Sequence, residues 1–282
     1  MNTQLNLSST SSRPSASVFD VPLPRRMGSV NWRGMWEFYL KEVRRFGKVI
    51  LQTIAAPAIT GLMFLLVMKY AFGRDSTLIA GYPFADFLVP GLVIMSMVQN
   101  AFANTSTSIL GAKVQGNIVD VLMPPLSALE LTIGWILGGA TRGVVVGIAT
   151  LITMSPFAHL HVHDLGMIVF HGLAGSLMMA SVGVLAAIWA EKFDHMAAVS
   201  NFIVTPLTFL SGTFYTIDRL PEWAQHVARF NPFFYNIDGF RHGFLGHESS
   251  APLTGIVVLM AIDAVLFASC YFMVKSGYKL KA

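Results

Sequence analysis

Residues 165–190, LGMIVFHGLAGSLMMASVGVLAAIWA, run without a single Asp, Glu, Lys or Arg. A bilayer core about 30 Å thick is crossed by about 20 predominantly apolar residues in a helix, and this stretch meets that length. The same test, carried outward in both directions, finds six spans, at 49–72, 87–109, 126–154, 165–190, 197–217 and 253–274. Pro57, Pro90 and Pro206 fall inside three of them. Within a helical bundle these are kinks and not ends, because neighbouring helices or water satisfy the freed carbonyls.

Composition agrees. The 282 residues are 54% hydrophobic and 12% charged, against roughly 25% charged in an ordinary soluble domain, which argues against a water-soluble globule. The pI near 9.3 does not point to nucleic acid, because the basic residues sit in short segments flanking the apolar runs. The single cysteine, Cys270, reads as a small buried hydrophobe. No apolar run followed by a small-residue cleavage site precedes residue 48, so no cleavable signal peptide is expected.

The flanks set the topology. Residues 1–27 are rich in Ser, Thr and Pro and read as a disordered cytoplasmic tail. From 32 to 48 the apolar Trp32, Trp36, Tyr39, Leu40, Val43 and Phe46 recur at helical spacing among Arg33, Lys41, Arg44, Arg45 and Lys48. That pattern predicts a basic amphipathic helix at the membrane surface. Eight Lys and Arg precede the first span, Lys113 and Lys192 follow the second and fourth, and Lys275, Lys279 and Lys281 follow the sixth. Only Lys69, Arg74, Arg219, Arg229 and Arg241 fall on the other side. Both termini are therefore expected in the cytoplasm.

Several polar groups stand where chemistry could sit. The second span carries Gln99, Asn100 and Asn104, and the fifth carries Asn201, Thr205, Thr208 and Ser211. Facing lipid they would be unsatisfied, so they are expected to face a pathway, a dimer seam or one another. Arg142 and Asp263 lie near the middles of spans three and six. An unpaired charge there costs at least about 2.5 kcal/mol, and the matched depth predicts an ion pair, with Arg142 facing the pathway or a carbonyl as the rival. Residues 111–125, GAKVQGNIVDVLMPP, predict a short helix stopped by Pro124 and Pro125, either a docking element or a stiff connector. Residues 220–230, opened by Pro221, predict a helix with Trp223, Val227 and Phe230 on one face, broken by Asn231-Pro232. His159, His161 and His163 alternate in the loop between spans three and four, but further metal ligands are lacking there.

In its ordered motifs the chain resembles the type-2 ABC exporter permeases, the family of nodulation-factor, polysaccharide and drug exporters. The resemblance rests on residues 87–104, on 111–125, on 138–147 around Ala-Thr-Arg-Gly, on 205–215, and on Asn231-Pro232 through Gly239-Phe240-Arg241. It implies an all-α permease domain over 28–282, with six spans, an N-terminal interface helix, and short re-entrant or periplasmic helices before the last span. It also implies a coupling helix bearing Lys113, Gln115, Asn117 and Asp120, and an interface helix bearing Arg44 and Arg45, both touching a separate ATPase that holds ATP and Mg. The second and fifth helices of two permease copies would line the route of an amphipathic, lipid-linked or glycan substrate across a bacterial inner membrane. Gly116 departs from the larger polar residue expected there.

The one Gly-Lys pair, Gly47-Lys48, lacks the spacing of a phosphate-binding loop, so no ATP hydrolysis, and no cofactor, is expected of this chain. The alternative is a secondary transporter or channel-like subunit working without ATP. An intramembrane enzyme lacks a convincing nucleophile and base.

Overall fold

The computed structural model describes residues 30–72, 78–79, 81–216, 220–246 and 251–280. The tail at 1–27 lies outside these residues, as do Arg74, Arg219 and Lys281. The elements are α1 (Trp32–Gly47), α2 (Ala56–Phe72), a two-residue hairpin β1 (Leu78–Ile79) and β2 (Tyr82–Pro83), α3 (Phe84–Val114), α4 (Ile118–Leu122), α5 (Ala128–Met154), α6 (Leu165–Trp189), α7 (Phe193–Val199), α8 (Thr205–Phe209), α9 (Glu222–Phe230), α10 (Pro232–Leu245) and α11 (Pro252–Ser276). Five helical runs are long and apolar enough to cross a membrane: Leu51–Ala71, Phe84–Val114, Ala128–Phe157, Leu165–Trp189 and Pro252–Ser276.

The sixth expected span, 197–217, is not one straight helix. It is α7, a π-helical turn at Ser200–Val204, and α8, ending at Phe209, a run of roughly 25 Å at 1.5 Å per residue. The chain then reverses at Gly212, whose φ of +77° is a left-handed conformation that glycine adopts without strain. Thr213 Oγ1 donates to Thr208 O at 2.9 Å and closes the turn.

The prolines explain the two π turns. Pro57 follows the π-helical turn Leu51–Ala55, and Pro206 follows Ser200–Val204, at the same offset. A proline ring collides with the carbonyl four residues back. In each case the helix is wound wider just before the ring, so that Ala56 N donates to Leu51 O and Thr205 N to Ser200 O, five residues apart.

α3 is the central helix, packed by α5, α6, α2 and α10. Glycines on α5 admit two neighbours at backbone distance, as small residues do between membrane helices. A Cβ on Gly138 would lie 2.6 Å from Glu42 Cβ of α1, and one on Gly143 would lie 2.7 Å from Met97 O of α3. α10 runs back along the first half of α6, with Asn236 against Gly175 and Gly239 against His171. Its Phe233, Phe234, Ile237, Phe240 and Phe244 are all buried. α9 instead leaves Trp223, Val227 and Phe230 exposed, Phe230 by 90%.

The N-terminal helix has the expected limits, and packs on the bundle through one face. Phe38, Glu42 and Phe46 are buried, whereas Trp32 and Trp36 are exposed. Phe38 stacks edge-on against Trp135 at 5.5 Å. At the end of α3, Gly116 has φ +75°. The left-handed residue that ends a helix is favoured as glycine, which accounts for the departure noted at this position.

Gly143→Leu should lower the melting midpoint of the detergent-solubilised protein by the equivalent of about 1–3 kcal/mol, because Met97 O is backbone and cannot turn aside. Gly111→Ala, with nothing within 4 Å of its Cβ, should leave the midpoint unchanged or slightly raised.

Candidate translocation pathway and coupling surface

A polar seam joins α1, α3 and α5. Glu42 is fully buried. Its Oε1 accepts from Ser108 Oγ at 2.9 Å, and its Oε2 meets Arg45 at 3.2 Å. Arg45 Nη2 also donates to Asn104 O and Oδ1, at 2.7 and 2.9 Å. One turn along α3, Asn100 Oδ1 accepts from Arg142 Nη2 at 3.1 Å. Asn100 and Asn104 thus present oxygens to two guanidinium groups arriving from different helices. Tyr39 and Thr141 share a further hydrogen bond at 3.0 Å.

The expected ion pair between Arg142 and Asp263 is not formed. Arg142 turns to α3, while Asp263 sits on the α11 stripe of Leu259 and Cys270 that packs on α6, where Cys270 Sγ donates to Ser181 O at 3.3 Å. Asp263 Oδ1 is buried without a hydrogen-bond partner among the described residues. Equal depth fixes position along the membrane normal but not the direction around each helix axis, and here the directions differ.

A cavity of about 500 Å³ opens between α2, α3 and α8, lined by Gln52, Thr60, Ser96, Gln99, Asn100 and the rings of Phe64, Phe209 and Phe214, among others. Of the expected pathway residues it takes Gln99 and Asn100. Asn104 lies beneath Arg45, and Asn201 is exposed elsewhere. Thr205 is half-buried outside the lining, and Thr208 Oγ1 bonds to Thr205 O at 2.8 Å. Ser211 Oγ accepts from Asn231 Nδ2 at 2.9 Å. The α8 end of the wall is therefore aromatic where polar groups were expected. Gln52 reaches it from the widened turn before α2 and Pro57 from the first turn of α2, and π-helical turns of this kind recur at functional sites.

At the lysine-rich end a second cleft, of about 570 Å³, lies between α1, the end of α3 and α4. Arg45, Gln115, Asn117 and Asp120 line it, with Lys41, Phe38 and Thr107. Four expected coupling residues are thereby brought together. Arg44 is exposed and outside the lining. Lys113 points away: its ammonium donates to Ala187 O, Ile188 O and Ala190 O at 3.1, 2.7 and 2.6 Å. It caps the C-terminus of α6, where a cation is favoured by the helix dipole and by orphan carbonyls. Lys279 joins it, donating to Glu191 Oε1 at 2.7 Å.

Two carboxylates passed unnoticed in the sequence. Besides Glu42, Glu130 closes a capping box at the start of α5, accepting from Ser127 N at 2.6 Å through Oε2. Its Oε1 accepts from Asn31 N, which ties the start of α1 to that of α5. The Ser-x-x-Glu spacing of 127–130 is the signal that would have found it. Only the i,i+3 spacing to Arg45 marks Glu42 locally, because Ser108 and the residues that bury it come from other helices. In the His159–His163 loop, His159 N donates to Asp86 Oδ1 at 2.8 Å.

A bundle of membrane-length helices with an open cavity along its central helix has the build of a transport permease. The chain belongs to the ABC-2 type transporter family, whose membrane-domain model matches residues 34–245, from α1 to the end of α10. It is 31% identical over 251 residues to the inner membrane transport permease YadH of Escherichia coli K12, covering 89% of this chain and 98% of that protein. It is 24% identical over 246 residues to Nodulation protein J of Rhizobium leguminosarum bv. viciae, covering 85% and 92%. The chain is a multi-pass integral membrane protein.

Asn100→Leu strands the Arg142 guanidinium and should destabilise the purified protein by about 2–3 kcal/mol, whereas Asn100→Asp keeps an acceptor and should retain most of the stability, both read by thermal melting. The Lys279 ammonium holds Glu191 below its ordinary value of 4.5, and Glu191 holds Lys279 above 10.5. This tether is complete between those two ordinary values, is lost as pH falls through the lowered value of Glu191, and is lost as pH rises through the raised value of Lys279. Hydrogen exchange at Gly277–Leu280 should therefore be flat in protection factor across that window and rise at its acid edge. In Glu191→Gln the acid dependence should disappear.

Proposed function

We propose that this permease is the membrane-spanning subunit of an ATP-driven exporter, working as a dimer on separate ATPase subunits that hold ATP and Mg²⁺. The observation that carries the reading is the cleft formed by α1 and α4, joined to the pathway helix α3 through Glu42, Arg45 and Asn104. A partner seated there would push on α1 and α4 together. α1 is tied to α3 because the buried Glu42 carboxylate accepts from Ser108 and the half-buried Arg45 guanidinium donates to Asn104.

The excess of Lys and Arg at this end supports a cytoplasmic orientation for it, with both termini inside. The second permease copy, identical or not, would face the cavity beside α2, whose Ile59, Met63 and Val67 are exposed, and beside the π-helical turn before α8, whose Phe202 is exposed. Family membership supports a bacterial inner-membrane location and an amphipathic, lipid-linked or glycan cargo.

Asp120→Lys reverses the one acidic charge in the cleft lining. It should leave insertion and yield unchanged while lowering the amount of ATPase that co-purifies, and ATP-dependent export, by tenfold or more. Undiminished transport by the wild-type chain in ATP-free vesicles on an ion gradient would overturn the proposal.

A further inference from the structure

The cavity between α2, α3 and α8 has a chemical bias of its own. No Asp, Glu, Lys, Arg or His is among the described residues that line it. Gln52, Thr60, Ser96 and Gln99 bring two amides and two hydroxyls to its wall, and none of these side chains is hydrogen-bonded to a described residue. Asn100 differs. Its Oδ1 is taken by Arg142 and its Nδ2 by Ser96 O at 3.0 Å, so it shields the arginine more than it offers itself. Opposite these groups stand three rings, Phe214 at 5.2 Å from both Phe64 and Phe209.

We infer that this cavity selects an uncharged amphipath, a molecule joining a hydroxyl- or amide-rich head to an apolar body. The inference rests on the transport reading above and names its substrate class. Amide side chains both donate and accept, and paired with hydroxyls they match a neutral head with several O–H or N–H groups. The phenyl cluster receives the apolar part. A charged head would leave water here without meeting an opposite charge, which is unfavourable in a low-dielectric wall. A cation is further opposed by Arg142, which stands behind Asn100 without a carboxylate partner among the described residues. An anion gains little from it, because Arg142 is not in the cavity lining and its Nη2 is spent on Asn100.

The test uses the full-length chain in lipid nanodiscs at pH 8, without ATP or ATPase, with empty discs correcting for partition into lipid. The probes are radiolabelled decyl β-glucoside, decyl phosphate and decyltrimethylammonium, each below its micelle concentration. The glucoside should bind saturably, and the two charged probes should show partition only. The double variant Gln52→Leu, Gln99→Leu removes two hydrogen bonds and should weaken glucoside binding about tenfold or more. Gln99→Glu should confer saturable binding of decyltrimethylammonium, a gain that a misfolded protein does not give. Binding of either charged probe to the unaltered chain as tightly as the glucoside, unchanged glucoside affinity in the double variant, or no saturable glucoside binding would each overturn the inference. Because no ATPase is present, failure of the chain to recruit one would sink the exporter proposal and leave this result standing.

Discussion

In a hydrocarbon surround each buried charge and each helix end must find its complement within the protein, and here they largely find each other. Lys113 and Lys279 end on the last carbonyls of α6, Arg241 on Gly212 O and Thr213 O, and Lys69 on Phe157 O. The acids do the converse: Glu130, Asp86 and Asp164 accept backbone N–H groups of Ser127, His159 and Met167. A point charge set against a helix terminus satisfies the orphan groups of the terminus and the solvation demand of the side chain together. Glu42 and Arg45 depart from this pattern: paired with each other within α1, they reach Ser108 Oγ and Asn104 on α3 and so hold the two helices together.

That exception gives the fold its mechanical character. α3 carries, in order from the hairpin, the cavity residues Ser96, Gln99 and Asn100, then Asn104 and Ser108, which anchor α1, then Gly111, Ala112 and Gln115 at the cleft. One continuous helix therefore connects the two concave surfaces. α5 holds the other side of α1 through the close approaches at Gly134 and Gly138. Across the cavity, by contrast, α2 and α7–α8 are each relieved by a π-helical turn before a proline, so the walls there are formed by the helices with the loosest hydrogen-bond ladders.

The helices whose pattern was strong were legible in the sequence. Five of six spans appear within a few residues of their expected limits, and Asn231-Pro232 divides α9 from α10 as the turn chemistry indicates. The sixth, 197–217, is not among those five runs, for hydropathy sums over composition. It registers the apolar side chains of 197–217 but not that Pro206 forces a wider turn or that Gly212 lets the chain double back. The amphipathic reading of α1 located the helix but did not address which residues pack on the bundle, Phe38, Glu42 and Phe46. Periodicity of apolar side chains cannot register that Glu42 is buried when Ser108 and Arg45 supply its partners.

The sequence by itself determined that the chain lives in a bilayer, where the long helices lie, and which end carries the cations. Length, hydropathy and charge position are properties of local stretches, and the bilayer imposes its demands stretch by stretch. The tertiary structure alone decided which polar groups meet. Lys113 caps α6 and does not line the cleft, Arg142 meets Asn100 and not Asp263, and Gln52 joins Gln99 in one cavity. Those choices depend on the rotation of each helix about its axis, which is set by close packing at the glycines of α5 and appears in no single segment.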